Sequence, residues 1–192
     1  MDSDTVLAIL KRAVNAPSGE NCQPWKFSWS DDAKELRVFN VPERDMSLYN
    51  VGQSGSLIAQ GALIENIVII ASTYKFKTEV RCEAEPGKEN LVATITFISS
   101  SEIQADILSE FIEIRCTNRK IYRPVEISSD ALRELNAAPG ETGVTVNFVD
   151  DRTRIMDVAG AMSMNERIVF EHPRIHGFFF SHIRWTKEEE EK

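Results

Sequence analysis

GSLIAQGALIENIVIIAS, Gly55 to Ser72, is the run on which the fold turns. Its spacing and length predict one helix, yet its polar residues (Ser56, Gln60, Glu65, Asn66 and Ser72) are too few for a full solvent-facing stripe. A helix that is apolar almost all round belongs at the centre of a fold or in an interface. Glu65 and Asn66 lie within the apolar stretch, so a buried helix explains it better than a membrane span.

Strand patterns flank this helix on both sides. PWKFSWS (24–30) and ELRVFNV (35–41) alternate well enough for two strands joined at Asp31–Asp32. After the helix, TEVRCEA (78–84) and LVATITFIS (91–99) read as a hairpin across the turn EPGKEN (85–90). Upstream, Ser3 or Asp4 can cap a first helix whose Val6, Ile9, Leu10, Ala13 and Val14 follow the helical period, and Pro17 ends it. Downstream, Ser101 and Gln104 form a capping-box pattern opening a helix over EIQADILSEFIEIR. A further helix starts near Ser129, a strand is expected at VTVNFVD (144–150), and a long helix runs from about Thr153 to Phe170. Helices and strands mix without regular βα alternation, so the class is α+β: a mixed or antiparallel sheet flanked by helices.

Composition narrows the functions. A net charge of −8 over 192 residues argues against a phosphate-backbone partner as the main business, so no nucleic acid is expected. Cys22, Cys82 and Cys116 are odd in number and far apart, which reads as reduced cytoplasmic thiols. The acidic N-terminus lacks the basic region of a signal peptide, and no membrane partner is expected. His172, His176 and His182 do not make a metal site by pattern: Pro173 interrupts the first pair and no carboxylate or thiol completes a set. Their segment, with Phe178–Phe180, reads as a lid or packing arm. No metal is expected.

Two stretches carry the chemistry. NAPSGENCQPWKF, Asn15 to Phe27, sits between the first helix and the first strand. Pro17 stiffens the helix exit, and Gly19 admits close approach of a flat ligand. Ser18 and Asn21 offer a hydroxyl and an amide to the donor–acceptor edge of a heterocycle. Gln23 would brace the loop from behind, and Trp25 would pack in the core. A well-capped helix-to-strand turn is the plain alternative. RCTNRKIYRP, Arg115 to Pro124, concentrates Arg115, Arg119, Lys120 and Arg123 in an otherwise acidic chain. Guanidinium forks with a Thr hydroxyl suit a phosphate dianion, the alternative being a solvated basic turn.

Taken as a pair, the stretches resemble the nitroreductase family of FMN-dependent oxidoreductases. APSGENCQPWKF is similar to the family's PS-x-x-N-x-QPW segment. RCTNRKIY is similar to its R-[RHC]-[ST]-x-[RK]-x-[FY] segment, shifted by one at the aromatic. The apolar helix resembles the one at the core of the family's dimer. The resemblance implies an FMN phosphate on Arg115, Thr117 and Arg119, and an isoalloxazine along Pro17, Ser18, Gly19 and Asn21. It also implies hydride passing from NAD(P)H through the flavin to a small-molecule acceptor such as a nitroaromatic or quinone. The implied assembly is a homodimer with Ile58, Ala62 and Ile69 among the contacts. No catalytic side chain is assigned. A flavin-binding or sequestering protein without turnover is the alternative.

The order departs from ordinary members, for the amide segment precedes the cationic one by about ninety residues. That order is similar to the tandem, Acg-like branch, whose chains carry two half-repeats. Asn136-Ala137-Ala138-Pro139-Gly140-Glu141 echoes Asn15-Ala16-Pro17-Ser18-Gly19-Glu20, after a helix and before an expected strand in both places. The echo is either a coincidence of two Pro-Gly turns or a trace of two halves, about 1–100 and 101–192, within one domain. The late basic residues that contact FMN in the family have no visible counterpart. With the chain running out in WTKEEEEK, the second half is expected to be incomplete.

Overall fold

The structure is a computed structural model. It describes residues 1–82, 90–123, 125–140, 143–181, 183 and 185–190, with side chains to 188. The chain divides into two compact units, Met1–Lys120 and Ile121–Lys192.

The first unit is a four-stranded antiparallel sheet with helices. Helix α1 spans Ser3–Ala13, strand β1 Trp25–Ser30, β2 Glu35–Asn40, helix α2 Ser54–Thr73, β3 Phe76–Cys82 and β4 Leu91–Ser99. The sheet order is β1-β2-β4-β3, with every neighbouring pair antiparallel. The α+β reading stands, as do both expected strand pairs. The 85–90 turn lies outside the described residues except for Asn90.

Helix α2 explains its own composition. Leu63, Ile67 and Ile70 are fully buried against Ile9, Leu36, Val38 and Ile95 in one core. Several of its polar residues face inward and satisfy backbone. Gln60 Nε2 donates to the Pro24 carbonyl at 2.6 Å, and Asn66 Nδ2 donates to the Ala13 carbonyl at 3.1 Å. Ser56 joins a buried set in which Asn50 Nδ2 donates to its Oγ and its own Oγ donates to the Asp45 carboxylate. A buried polar group without a partner is costly, so these bonds fix the helix's rotation about its axis. The window Val51–Thr73 is long and apolar enough to cross a membrane, but half of it is buried inside the molecule.

Several expectations need correction. The first helix is capped by Asp2, whose carboxylate accepts from the Thr5 amide, rather than by Ser3 or Asp4. That contact holds the Asp2 carboxyl below its usual range. The helix expected from Ser101 is only a 3-10 turn at Ile107–Glu110. Tertiary tethers hold the preceding residues off the helical path: the Asp106 amide donates to Ser72 Oγ and Lys75 Nζ donates to the Ile103 carbonyl. Of the three residues expected at an interface, Ile58 is largely exposed and Ala62 partly so, but Ile69 is buried within the subunit.

The second unit is helical: α3 Ser129–Ala137, α4 Arg152–Glu171, α5 Pro173–Ser181 and the short α6 Lys187–Glu190. The stretch 144–150, expected as a strand, is not one. A strand exists only as a member of a ladder, and alternation of side chains does not supply a neighbour. The echo at Asn136–Gly140 begins within the last two residues of α3 rather than after the helix, no strand follows it among the described residues, and its Glu141 lies outside them. In α4 and α5 the aromatic rings associate: Phe180 stacks on His176 at 4.2 Å and meets Phe170 edge-on at 6.2 Å. His182 lies outside the described residues. Among those described, no group of three His, Cys, Asp or Glu gathers as a metal site would require.

Candidate functional site

The site begins where α1 stops. The chain leaves the helix at Val14, and Asn15 turns back so that its Nδ2 donates to the Arg12 carbonyl at 2.9 Å. Residues 18–23 then close on themselves. The Gln23 amide donates to Ser18 Oγ at 3.0 Å, the Cys22 amide to the Gly19 carbonyl at 2.9 Å, and the Asn21 amide to the Ser18 carbonyl at 3.1 Å. The fold is tight enough to hold Glu20, Asn21 and Gln23 in the left-handed region, at φ of 50°, 57° and 47°. Such positions cost of order 1–3 kcal/mol each for a residue with a side chain, and they cluster where a loop serves a site. Gly19 is at ordinary φ; what it provides is space, for the nearest atom to a Cβ there would be Asp45 Oδ2 at 3.7 Å.

Two supports hold the loop from behind. Arg44 Nη1 donates to the Gln23 carbonyl at 2.9 Å, so the brace expected of Gln23 runs through its backbone. Cys22 lies beside Ser18 and Asp45; burial and then the Asp45 carboxylate push its thiol above the ordinary value. That is the setting of an inert thiol rather than a nucleophile. Trp25 is buried in the core as expected.

The cationic stretch returns to this loop from across the sequence. Arg115 Nη2 donates to the Asn15 carbonyl at 3.2 Å. A cavity of about 590 Å³ lies between the two stretches, lined by Val14 to Ser18, Glu20, Asn21, Gln23, Arg115, Thr117 and Arg119. The structure thus brings Pro17, Ser18 and Asn21 together with Arg115, Thr117 and Arg119 around one space. Gly19 faces a smaller recess of about 200 Å³ beside it, lined also by Pro17, Ser18, Gly55, Ile58, Ala59 and Ala62. The larger cavity carries two guanidinium groups and one carboxylate, Glu20, so it is locally cationic in an acidic protein.

Some of these residues escaped the sequence reading. Glu20 lines the cavity although the sequence assigns it no role. Gly55, Ala59 and Ala62 had a legible signal, being small residues at helical spacing on one face of α2. Ser18 differs in one respect: its oxygen already accepts from the Gln23 amide, so one of its two lone pairs is committed to the loop.

No family model matches the chain. An uncharacterized protein of Mycobacterium tuberculosis is 24% identical over 177 residues, which is 92% of this chain and 24% of that protein. Another protein of the same organism, named "Putative NAD(P)H nitroreductase", is 31% identical over 144 residues, 72% of this chain and 41% of its own length. The chain therefore spans about a quarter and about two-fifths of the curated relatives it matches. Among solved structures, a "putative nitroreductase in complex with fmn" from Desulfovibrio desulfuricans is 17% identical with a TM-score of 0.44, covering 63% of this chain and 87% of that one. A "Putative NADH Oxidase" from Clostridium acetobutylicum is 15% identical with a TM-score of 0.46, covering 63% and 90%. By its paired segments and by the second of these relatives, the chain belongs, over the stretch it shares, to the nitroreductase family.

Proposed function

We propose that the chain holds FMN in an oxidoreductase that takes hydride from NADH or NADPH and delivers it to an electron-poor acceptor such as a nitroaromatic or quinone. The observation supporting this is the single cavity shared by the amide loop and the cationic stretch. Its volume of about 590 Å³ lies within the range of roughly 300–1,000 Å³ usual for cofactor sites.

The lining fits the group. Arg115 spends one nitrogen on the Asn15 carbonyl, which orients the guanidinium and leaves its other donors free for a phosphate. Arg119 and the Thr117 hydroxyl add donors on the same stretch. The Ser18 hydroxyl and the Asn21 amide would meet a heterocycle's polar edge, while Val14, Ala16 and Pro17 add apolar lining. The strained turn at Glu20–Gln23 keeps these groups in position before any ligand arrives, so little ordering remains to be done on binding. When bound, FMN supplies a two-electron carrier between nicotinamide and acceptor. No side chain is assigned as acid or base.

We further read the protein as cytoplasmic, with its three free thiols kept reduced, and as one nitroreductase-like domain of the tandem branch built from half-repeats. Motif order supports the branch. A homodimer through the exposed Ile58 and half-exposed Ala62 is the simplest assembly, and neither nucleic acid nor membrane is a partner in this reading. The same cavity would equally serve a second reading, a flavin-binding protein without turnover.

The test is a titration of FMN into flavin-free, folded protein. Quenching of flavin fluorescence is expected, followed by NADH- or NADPH-dependent bleaching under anaerobic conditions. Quenching without bleaching selects the second reading, and no quenching overturns both.

A further inference from the structure

We infer that Arg12, which does not line the cavity, is the positioning residue that holds the cationic stretch in place. The inference rests on the reading of that stretch as a phosphate site. Arg12 lies in the last turn of α1, one turn before the amide loop. Its Nε donates to Glu113 Oε1 at 3.2 Å and its Nη2 donates to the Ser109 carbonyl at 3.1 Å. Its own carbonyl accepts from Asn15, whose carbonyl in turn accepts from Arg115. One residue therefore ties the amide loop, through its backbone, to the segment that leads into the cationic stretch, through its side chain.

The tether matters because regular structure does not do its work. Residues 107–110 make a single 3-10 turn, and residues 115–120 belong to no helix or strand. Ile112 and Ser109 are buried, so the segment is anchored just upstream of the cations. The Arg115 amide hangs from the Phe111 carbonyl at 2.9 Å. A guanidinium can bond a carboxylate and a carbonyl at once because its donors form a rigid planar fork; a lysine ammonium cannot span both in the same way. Arg12 thus sets where the segment leaves the core, and with it the position of Arg115 and Arg119.

A purely electrostatic role would make different demands. If Arg12 acted only as one more positive charge, removing its acidic partner would strengthen phosphate binding. If it acts as a tether, removing that partner weakens it.

The 192-residue chain and its Arg12→Ala, Arg12→Lys, Glu113→Ala and Glu113→Gln variants are compared by two measurements. The first needs no ligand: hydrogen–deuterium exchange of the peptide covering 106–120. Arg12→Ala is expected to speed exchange at the Arg115 amide by about tenfold, with strands β1 and β2 unchanged. The second is fluorescence titration with FMN and with riboflavin. Arg12→Ala and Glu113→Ala should both weaken FMN, by about tenfold and about threefold, with riboflavin changing less than about twofold. Glu113→Gln keeps an acceptor and should stay near the parent, and Arg12→Lys should recover only part of the loss. Unchanged exchange in Arg12→Ala overturns the inference. So does tighter FMN binding by both Glu113 variants, which marks a charge effect. Faster exchange in Arg12→Ala, alongside a parent that does not bind FMN, would retain the tether and sink the flavin reading instead.

Discussion

Helices α2 and α4 are both 20 residues long, and they meet different fates. In the first unit, α2 buries Leu63, Ile67 and Ile70 completely. In the second, α4 leaves Ile155, Met156, Val158, Met162 and Met164 substantially exposed, and Val169 is its one buried residue. Both runs form helices, but among the described residues only the first has a sheet to lie on within its own unit. Helix formation is a local property of the chain. Burial is a property of what the chain finds, and most helical stability comes from the latter.

Core truncation should divide the two regions most sharply. Ile67→Ala is expected to cost about 2–5 kcal/mol in urea unfolding, because it opens a cavity in close-packed surroundings. Met162→Ala should stay within about 0.5 kcal/mol, as exposed substitutions do. Equal losses would mean that α4 is covered after all, and the contrast would fall. The second effect lies at the site. Arg115→Ala should weaken FMN about ten- to a hundredfold, since charge-assisted bonds contribute roughly 1.5–3 kcal/mol, and should affect riboflavin much less. Equal losses for the two ligands would remove the phosphate from the account.

A smaller effect concerns thiols. Cys22 is half-buried with its proton held more firmly by burial and by Asp45, whereas Cys82 and Cys116 are exposed. Alkylation with iodoacetamide at mildly alkaline pH should label Cys22 slowest, and raising the pH further should narrow the gap. Labelling of Cys22 first would show that the loop opens. The smallest effect compares the two Pro-containing turns. The echo turn places a glycine, Gly140, at φ 56°, while the site turn places Glu20 at φ 50°. Glu20→Gly should therefore stabilise the folded protein by about 0.5–1 kcal/mol while loosening the loop and weakening FMN. A loss of stability would mean that the Glu20 side chain holds the turn.

Legibility followed the same division. The strands at 25–30, 35–40, 76–82 and 91–99 could be read by alternation, and α2 by a long apolar run with too few polar residues for a solvent-facing stripe. The pair of site stretches was legible because Pro17, Asn21, Arg115 and Arg119 stand at recognisable intervals, and the structure brings them to one cavity. What could not be read was non-local. Asp106 and Lys75 pull residues 103–106 away from the helix that Ser101 and Gln104 seemed to open. The alternation at 144–150 could not reveal whether a neighbouring strand exists. Arg12 looked like any basic residue in a last helical turn, because its two partners lie about a hundred positions away.

The order β1-β2-β4-β3 has a consequence for how the molecule is made. β1 and β2 face each other across a short turn, so this hairpin can close as soon as it emerges. The inner edge of β2 must wait for Glu35 to meet Thr96, with the whole of α2 and β3 in between. Loop closure of that length is slow, and an unpaired strand edge is an invitation to neighbouring chains. Until β4 arrives, the nascent protein therefore exposes the edge of its own future sheet centre. Its most hazardous interval in synthesis comes while α2 is already formed but still lacks most of the surface on which it will rest.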